Sequence, residues 1–195
     1  VTCWAFYSSM IRKIPKEIGG LNLYRLNLEY NNLSGTIPQS LGGLTDIIHI
    51  NLSHNQLESS LPHSLRYLSR LKIIQINNNK ISGDIPSTYS ELLSLEEFHA
   101  TDNQLSGTFP DQFSELEHLK YIDVSFNKMS GELPDKLITM PSLETLYIQG
   151  NNFMGELNQS LCKREKSLKF LFYGNDICPP YPSCIKFIGK QRCQN

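Results

Sequence analysis

The sequence lacks any long hydrophobic run. None of its apolar stretches approaches the roughly 18 residues that a bilayer-spanning helix requires, and no secretory signal pattern begins at Val1. Both elements could have been removed from a longer gene product, so their absence excludes neither secretion nor anchoring. Within the chain itself, we predict no direct insertion into a membrane.

Catalytic signatures are missing as well. The chain contains no P-loop, no G-x-G-x-x-G, no G-x-S-x-G elbow and no H-E-x-x-H pair. The formal net charge of −1 over 195 residues indicates no particular class of partner. These absences favour a protein that is not an enzyme and needs no cofactor.

What the chain does contain is one stretch that returns along most of its length. Residues 23–38 read LYRLNLEYNNLSGTIP, and the pattern recurs in residues 47–62, 71–86, 95–110 and 119–134. Its asparagines are 24 residues apart, at positions 31, 55, 79, 103, 127 and 151, and Asn175 continues the series. A period of about 20–29 residues that carries L-x-x-L-x-L-x-x-N-x-L is the signature of a leucine-rich-repeat solenoid.

Each repeat is predicted to begin with a short strand. Because side chains alternate between the two faces of a strand, Leu26 and Leu28 should point inward. Arg25, Asn27 and Glu29 then face outward. Stacked repeats would place these strands side by side in a parallel sheet, about 4.8 Å apart.

The other repeated positions, which carry asparagine, glycine and proline, each have a different predicted structural role. The amide of Asn31 is predicted to be buried and to bond the backbones of its own and adjacent coils. Gly35 and its counterparts at 83, 107, 131 and 155 indicate a bend with positive φ or a close approach, and Ser59 replaces glycine in one repeat. After Pro38 and its counterparts, the chain should return on the outer side as a short helical or 3₁₀ turn.

The string LSGTIPQSLGGL resembles the plant-specific subclass of leucine-rich repeats, whose units read LxxLxLxxNxLSGxIPxxLGxL. The resemblance covers about residues 14–157. That subclass occurs in extracellular domains of receptor-like kinases and receptor-like proteins, and in secreted inhibitors of fungal polygalacturonases. The resemblance implies an α/β-type repeat solenoid, a right-handed superhelix with a concave parallel β-sheet. It also implies a short second sheet near SGxIP and 3₁₀ or short helical turns on the convex side.

Both ends depart from the repeat. Residues 1–22 read as a degenerate first repeat or cap, because a shift of one residue brings Cys3, Ala5, Ser8 and Met10 onto repeat positions. Cys3 would then point inward; alternatively, it is the remnant of a disulfide cap with a partner upstream. We assign the regular repeats to residues 23–160, and the final degenerate repeat with its cap to residues 161–195. The cap segment CPPYPSC departs from the LCGxPLxxC of plant caps.

Four cysteines cluster in this cap, where the stack would otherwise expose its apolar interior. The candidate disulfide residues are Cys162, Cys178, Cys184 and Cys193. Four cysteines allow three pairings, and the sequence does not choose among them. A zinc site is the rival interpretation, but the cysteines lack its two-to-four-residue spacing and no histidine lies nearby. We therefore expect disulfides and an extracellular or cell-surface location.

Three further observations concern modification, charge and metal binding. The candidate glycosylation sites are Asn32, Asn51 and Asn158. Residues 161–195 carry seven basic and two acidic residues; we interpret them as a solvated surface of the cap and predict no nucleic-acid partner. His49 and His99 both fall on outward positions, but two repeats, about 10 Å, separate them. Because zinc ligands lie about 2.1 Å from the ion, we predict no metal site.

The outward positions of the sheet are the candidate ligand-binding surface, since the concave sheet of a solenoid is its usual binding face. Exposed aromatics on adjacent strands are typical interface anchors, and a mostly acidic patch surrounds them, tempered by Lys72 and Lys120. The candidate ligand-binding residues are Glu97, His99, Thr101, Asp102, Tyr121, Asp123, Ser125, Phe126, Thr145, Tyr147 and Gln149. Trp4 and Phe6 would join this face if the register of the first repeat is right. The alternative is a generic solvated sheet.

Three functional hypotheses follow. The first is an extracellular module, either a receptor ectodomain or a secreted binder, that binds a protein or peptide; a co-receptor or a second copy of the chain is a further candidate partner. The second, from the family resemblance, is a secreted inhibitor of a cell-wall polysaccharide hydrolase. The third is a structural, adhesive or ice-binding surface. It would require a ladder of one residue type, whereas the position of Asn27 reads Asn, Asn, Gln, His, Asp and Tyr in successive repeats.

Overall fold

The computed structural model describes residues 2–4, 13–164, 168–185 and 189–192. Its strands, in chain order, are β1 (Thr2–Trp4), β2 (Arg25–Asn27), β3 (Ser34–Gly35), β4 (His49–Asn51), β5 (Gln56–Ser59), β6 (Ile73–Gln75), β7 (Lys80–Gly83), β8 (Glu97–His99), β9 (Gln104–Leu105), β10 (Tyr121–Asp123), β11 (Ser130–Gly131), β12 (Thr145–Tyr147), β13 (Asn152–Gly155), β14 (Lys169–Leu171) and β15 (Asp176–Ile177). Every pairing between them is parallel.

The main sheet takes one strand from each coil, in the order β1-β2-β4-β6-β8-β10-β12-β14. Neighbouring strands pair residues 24 positions apart, such as Arg25 with His49. The first pair differs by one, because Cys3 lies opposite Leu26. This is the register that the one-residue shift predicts for the first repeat. The other positions used for that prediction, residues 5, 8 and 10, lie outside the described residues, as does Phe6.

The inward side chains form one continuous core that runs from Ile14 to Ile177. It consists mainly of leucine and isoleucine, and each fully buried side chain of this kind contributes roughly 1.5–3 kcal/mol relative to an exposed one. Larger rings fill the middle coils: Phe113 packs edge-on against Phe98 and Phe109, with ring centroids 5.9 and 5.1 Å away. The core is therefore a strip along the stack, and the apolar side chains of each coil pack against those of the coil before it.

The six repeated asparagines from Asn55 onward bond adjacent coils together, as the sequence predicts. Asn31, which was predicted to be buried, is half-buried, and its Nδ2 donates to the Glu29 carbonyl of its own coil at 2.9 Å. Asn55 Nδ2 donates to the Leu28 carbonyl of the preceding coil at 2.8 Å and to the Leu52 carbonyl of its own coil at 3.0 Å. Its Oδ1 accepts the Leu33 N–H at 2.8 Å. Corresponding amides make corresponding bonds at Asn79, Asn103, Asn127, Asn151 and Asn175. The asparagines thus satisfy backbone groups that the sheet leaves open.

The glycine and proline positions also behave as predicted. Gly35 and its four counterparts all have positive φ, and Ser59 adopts the same conformation with φ 72°. A short helix follows the repeat proline in six coils, and in the next coil, where Asn158 replaces the proline, a short helix forms at the same position. These helices are the 3₁₀ segments Lys16–Gly20, Gln39–Gly43, His63–Tyr67, Ser87–Glu91 and Asp111–Glu115, the short α-helix α1 (Asp135–Ile138), and the 3₁₀ segment Gln159–Arg164. Within the described part of the chain, no helix has the length and hydropathy of a membrane span.

The short second sheet that the family resemblance implies is present in two pieces. β3, β5, β7 and β9 form one piece, and β11, β13 and β15 form the other. Two hydrogen bonds join them: the Lys128 N–H donates to the Leu105 carbonyl, and the Ser130 N–H donates to the Gly107 carbonyl, both at 2.8 Å. The two pieces therefore follow each other along one side of the stack.

Disulfides fasten the final coil, as predicted. Cys162 in the last 3₁₀ helix is bonded to Cys184, with Cα atoms 5.3 Å apart. Cys178 is also disulfide-bonded, whereas Cys193 lies outside the described residues. The chain then pairs along the last coil: the Gly174 N–H donates to the Lys190 carbonyl at 2.6 Å, and the Arg192 N–H donates to the Asn175 carbonyl at 2.8 Å. These bonds cover the edge of the stack after β14.

Candidate ligand-binding face

Strands β8, β10 and β12 bring the predicted ligand-binding residues into two rows. Glu97, Tyr121 and Thr145 lie opposite one another in the first row. His99, Asp123 and Tyr147 form the second row. Because Phe98, Ile122 and Leu146 alternate with these residues and are fully buried, both rows lie on the outer, concave side of the sheet.

Three rings form an aromatic row that alternates between these two rows as it crosses the strands: His99, Tyr121 and Tyr147. The His99 ring stacks on the Tyr121 ring, with centroids 4.4 Å apart and an angle of 25°. Tyr147 meets Tyr121 edge-on at 5.9 Å. Burial, followed by the charge of Asp123, raises the pKa of the Tyr121 phenol to about 12. Its hydroxyl therefore stays protonated at neutral pH and can donate a hydrogen bond.

A carboxylate lies between two members of this row. Asp123 Oδ1 accepts the Ser125 N–H at 2.9 Å and the Ser125 hydroxyl at 2.5 Å. The Ser125 hydroxyl also contacts that of Thr101, at 2.7 Å. These bonds hold the carboxylate in place through Oδ1, while Oδ2 has no hydrogen-bond partner among the residues the structure describes. Asp123 thus presents a fixed acceptor beside His99 and Tyr147.

The acidic patch is smaller than the sequence suggests. The Glu96 carboxylate accepts a hydrogen bond from Lys72 Nζ at 2.6 Å and another from Lys120 Nζ at 3.0 Å. Hydrogen bonds from Lys72 and Lys120 lower the pKa of the Glu96 carboxyl, and the bond to Glu96 raises the pKa of the Lys120 amine. The negative charge of Glu96 is therefore balanced by these two lysines of the same face. The carboxylates that carry the remaining negative charge of the patch are Glu97, Asp102, Asp123 and Glu144.

Three of the eleven predicted ligand-binding residues are buried. Ser125 is 1% exposed, and Thr145 and Gln149 are each 7% exposed. Strand alternation does place them on the concave side, but neighbouring side chains cover them. Their side chains therefore lie beneath the exposed residues of this face. Asp102 and Phe126 are exposed, and the other candidates, Glu97, His99, Thr101, Tyr121, Asp123 and Tyr147, are half-buried.

The concave face has a rim whose backbone conformation was not predicted from the sequence, although two of its residues, Asp102 and Phe126, were predicted to bind ligand. We call the repeated asparagines, Asn31 and its counterparts, the asparagine ladder. In every full coil, the residue just before the asparagine of this ladder adopts a left-handed backbone conformation with φ between 52° and 71°. This left-handed rim consists of Tyr30, His54, Asn78, Asp102, Phe126, Gly150 and Gly174. Asparagine, aspartate and glycine tolerate this conformation, so their presence at four of the seven positions was the available signal.

Two aromatic contacts occur on this rim. The rings of Tyr30 and His54 stack almost parallel, with centroids 4.1 Å apart and an angle of 7°. Tyr30 is 64% exposed. Further along, the exposed ring of Phe126 lies against Gly150, where an added Cβ would be 2.7 Å from Phe126 Cδ1. Tyr30 and His54 were not among the eleven predicted residues.

The comparisons with known proteins agree with this architecture. The family model described as "Leucine rich repeat" matches residues 21–81 and 93–153, which together exceed half of the chain. The chain belongs to the leucine-rich-repeat family. No curated protein sequence matches this leucine-rich-repeat chain at a significant level.

Solved structures of plant proteins share the fold. The plant peptide hormone receptor RGFR1, in complex with RGF2, is 33% identical with a TM-score of 0.81; the match covers 85% of this chain and 27% of that one. The ectodomain of the Arabidopsis receptor kinase HAESA, in complex with an extended IDA peptide hormone, is 29% identical with a TM-score of 0.78 and coverages of 85% and 28%. The predicted resemblance to plant receptor ectodomains is confirmed.

A plant ice-binding protein is a further structural relative of this leucine-rich-repeat chain. It is 25% identical with a TM-score of 0.81, and the match covers 95% of this chain and 62% of that one. The chain thus spans less than a third of the two receptor chains and less than two thirds of the ice-binding protein.

The three sequons of the leucine-rich-repeat chain differ in accessibility. Asn32 and Asn158 are exposed. Asn51 is buried on the concave side, where its Nδ2 donates to Glu29 Oε2 at 3.2 Å and its Oδ1 accepts the Ser53 N–H at 3.0 Å. A glycan at Asn51 would have to displace the bond to Glu29, so we retain Asn32 and Asn158 as the stronger candidates.

Two histidines of the concave face have polar partners of their own. His49 Nε2 lies 2.9 Å from Gln75 Oε1, and His99 Nε2 lies 2.8 Å from Glu97 Oε2. Among the residues that the structure describes, no group of three His, Cys, Asp or Glu side chains is arranged to hold a metal ion. The arrangement instead offers stacked rings and carboxylate acceptors.

Proposed function

We propose that this chain is an extracellular recognition module that binds a peptide or protein segment on the concave face around β8, β10 and β12. The observation that carries the proposal is the aromatic row beside Asp123. There, flat aromatic rings adjoin a carboxylate that is fixed through one oxygen, while its other oxygen has no partner in the described part of the chain. Aromatic side chains are favoured anchors of protein interfaces, and a preorganised acceptor adds directional selectivity. We expect no catalytic activity.

The chemistry of the face indicates the kind of ligand it takes. An aliphatic or aromatic side chain would pack on the rings of Tyr121 and Tyr147. A donor group of the ligand would bond Asp123 Oδ2. The exposed carboxylate of Asp102 adds negative charge nearby, so a lysine or arginine side chain is the complementary partner.

The comparisons support binding of a peptide. RGFR1 and HAESA are each described in complex with a peptide hormone, and both are receptors of the same fold. The chain spans under a third of either receptor, so its ligand and partners remain a proposal. An extracellular location is consistent with the disulfide bonds in the final coil.

A displayed library of random peptides tests the proposal. Peptides selected on the wild-type chain provide the probe, and their affinity is then measured for the triple variant Tyr121→Ala/Asp123→Ala/Tyr147→Ala. We expect a loss of at least about 100-fold, because a few central anchors carry most of the binding energy of such interfaces.

The matched control is Tyr67→Ala/Leu93→Ala, which removes two exposed side chains from the convex side. The control should bind the selected peptides as the wild type does, and circular dichroism should show that both variants are folded. Unchanged affinity of the folded triple variant would refute the assignment of the site.

Ice binding is a second candidate function, and the similarity to a plant ice-binding protein favours it. At the outward position that starts with Asn27, no residue type continues beyond two successive repeats. The concave face therefore carries no regular ladder at this position that would match ice. An ice recrystallisation assay decides this point. Inhibition by the purified chain at micromolar concentration would support the second candidate, whereas growth equal to that with a control protein would eliminate it.

A further inference from the structure

Two buried polar atoms on the concave side have no hydrogen-bond partner among the described residues: Ser53 Oγ and Gln149 Oε1. Ser53 is 3% exposed and Gln149 is 7% exposed. Both occupy the same position in the repeat, two residues after β4 and β12 respectively. A buried polar group without a partner is unfavourable, and two on the same face at equivalent positions call for a common explanation.

The equivalent positions between them are satisfied. We call this set the inner column: Glu29, Ser53, Asn77, Thr101, Ser125 and Gln149. Asn77 Oδ1 accepts the Thr101 N–H at 3.0 Å, and the hydroxyls of Thr101 and Ser125 bond each other. The polar side chains in the middle of the inner column are therefore hydrogen-bonded. Ser53 Oγ and Gln149 Oε1, on two coils that are four repeats apart, have no partner among the described residues.

An aromatic side chain of the left-handed rim lies at each of the two coils that carry Ser53 and Gln149. His54 directly follows Ser53, and its ring stacks on Tyr30. Gly150 directly follows Gln149, and the ring of Phe126 lies against it. A left-handed backbone is less favourable for tyrosine and phenylalanine than for the asparagine that occupies position 78. Backbone conformation therefore does not explain why Tyr30 and Phe126 occupy these positions.

The distance between the two ends can be derived from the sheet. Strands about 4.8 Å apart place two coils that are four repeats apart at about 19 Å. An extended peptide advances about 3.3 Å per residue, so it needs about six residues to reach from one end to the other. The carboxylates of Asp102 and Asp123 lie on coils between these ends.

We propose that Ser53 with Tyr30 and His54, and Gln149 with Phe126, are the two terminal subsites for one extended peptide that crosses the concave face. The peptide has at least about six residues, an aromatic or aliphatic side chain at each end, and a cationic side chain between them. At each end, a donor of the peptide bonds Ser53 Oγ or Gln149 Oε1, which rotates toward it as the peptide binds. This inference rests on the proposed function and adds the subsite near Ser53.

Two synthetic peptide pools test the inference. The long pool has about seven residues with Phe at both ends, Lys in the centre and random residues elsewhere; the short pool has about four residues with one Phe and one Lys. We expect the wild-type chain to bind the long pool at least about tenfold more tightly than the short pool. A third pool, with Glu in place of Lys, should bind at least about tenfold more weakly than the long pool.

The variants remove the rings without disturbing the backbone. Tyr30→Asn/His54→Asn and Phe126→Asn introduce the residue that position 78 carries in the same left-handed conformation. Each should weaken binding of the long pool at least about tenfold, while Leu93→Ala on the convex side leaves it unchanged. Ser53→Ala should weaken binding several-fold without lowering the melting temperature, because it removes a buried hydroxyl that has no hydrogen-bond partner among the described residues.

The outcomes separate this inference from the proposed function. If Tyr30→Asn/His54→Asn binds the long pool as the wild type does, and Tyr121→Ala/Tyr147→Ala does not, the subsite near Ser53 is wrong and the proposed function stands. If every concave variant binds as the wild type does, the proposed function fails as well. Absence of binding of the long pool to the wild-type chain contradicts this inference, whereas the proposed function fails only if the displayed random library also yields no peptide that binds the concave face.

Discussion

The ring of Phe126 lies so close to Gly150 that an added Cβ would be 2.7 Å from Phe126 Cδ1. Gly150 also has a φ of 69°, a conformation that side chains with a Cβ rarely adopt. The glycine therefore has two effects on the face, since it adopts the left-handed rim conformation without the steric cost of a Cβ and leaves room for an exposed aromatic ring of the neighbouring coil.

Gly150→Ala tests this relationship. The new methyl group must displace the Phe126 ring and hold a left-handed backbone, so we expect a loss of roughly 1–2 kcal/mol in the free energy of unfolding. Binding of peptides selected on the wild type should also weaken. Gly20→Ala is the matched control, because an added Cβ there meets nothing within 4 Å. Equal stability of the two variants in urea unfolding would contradict the packing described.

The asparagine ladder makes a second prediction. Asn127 Nδ2 donates to the Ala100 carbonyl at 2.9 Å, and its Oδ1 accepts the Leu105 N–H at 2.9 Å. Asn127→Ala leaves these buried groups unpaired, at about 1–3 kcal/mol for each group. Urea unfolding should show this loss, whereas Asn22→Ala, at an exposed position, should stay within about 0.5 kcal/mol of the wild type. A stable Asn127→Ala variant would mean that the ladder does not hold the coils together.

The disulfide between Cys162 and Cys184 makes a third prediction. It closes a segment whose ends are 22 residues apart, and loss of a crosslink of this size removes about 2–4 kcal/mol of stability. Cys162→Ala/Cys184→Ala should therefore melt at a lower temperature than the wild type under oxidising conditions. Because the residual Cys178 disulfide is common to both proteins, the difference measures this one bond. Equal melting temperatures would show that the final coil does not depend on it.

Tyr121 makes a fourth prediction, about alkaline pH. Its folded-state pKa is raised to about 12, whereas an unfolded tyrosine has a pKa of about 10. The unfolded state therefore loses its proton first as the pH rises. The contribution of this group to stability is complete below pH 10 and disappears as the pH approaches about 12. Tyr121→Phe should flatten the dependence of unfolding free energy on pH in that window, and an unchanged slope would contradict the burial of the phenol.

The sequence predicted the coil well because each coil repeats the same constraints. Three features depend only on residues of the coil itself or on the equivalent residues of a neighbouring coil. They are the inward direction of Leu26 and Leu28, the bonding of the repeated asparagines and the positive φ of Gly35. A regular spacing of 24 residues is enough to derive them. Even the pairing of Cys3 with Leu26 follows from the same pattern.

The concave surface was harder to predict, because its exposure depends on side chains from different coils. Ser125, Thr145 and Gln149 occupy outward positions, yet they are buried because larger neighbours cover them. Glu96 is likewise neutralised by lysines of the two adjacent coils. The stacking of Tyr30 on His54 requires the left-handed rim, which no single repeat reveals. Only the asparagine, aspartate and glycine at the corresponding positions of other coils hint at it.

The central claim is that the ligand lies on the concave face. Amide hydrogen exchange, measured with and without a peptide selected on the wild-type chain, tests it most directly because it requires no substitution. We predict added protection in residues 97–102, 121–126 and 145–150 and no change in the outer helix Asp111–Glu115. Protection confined to the outer helices, with unchanged exchange in β8, β10 and β12, would contradict the claim.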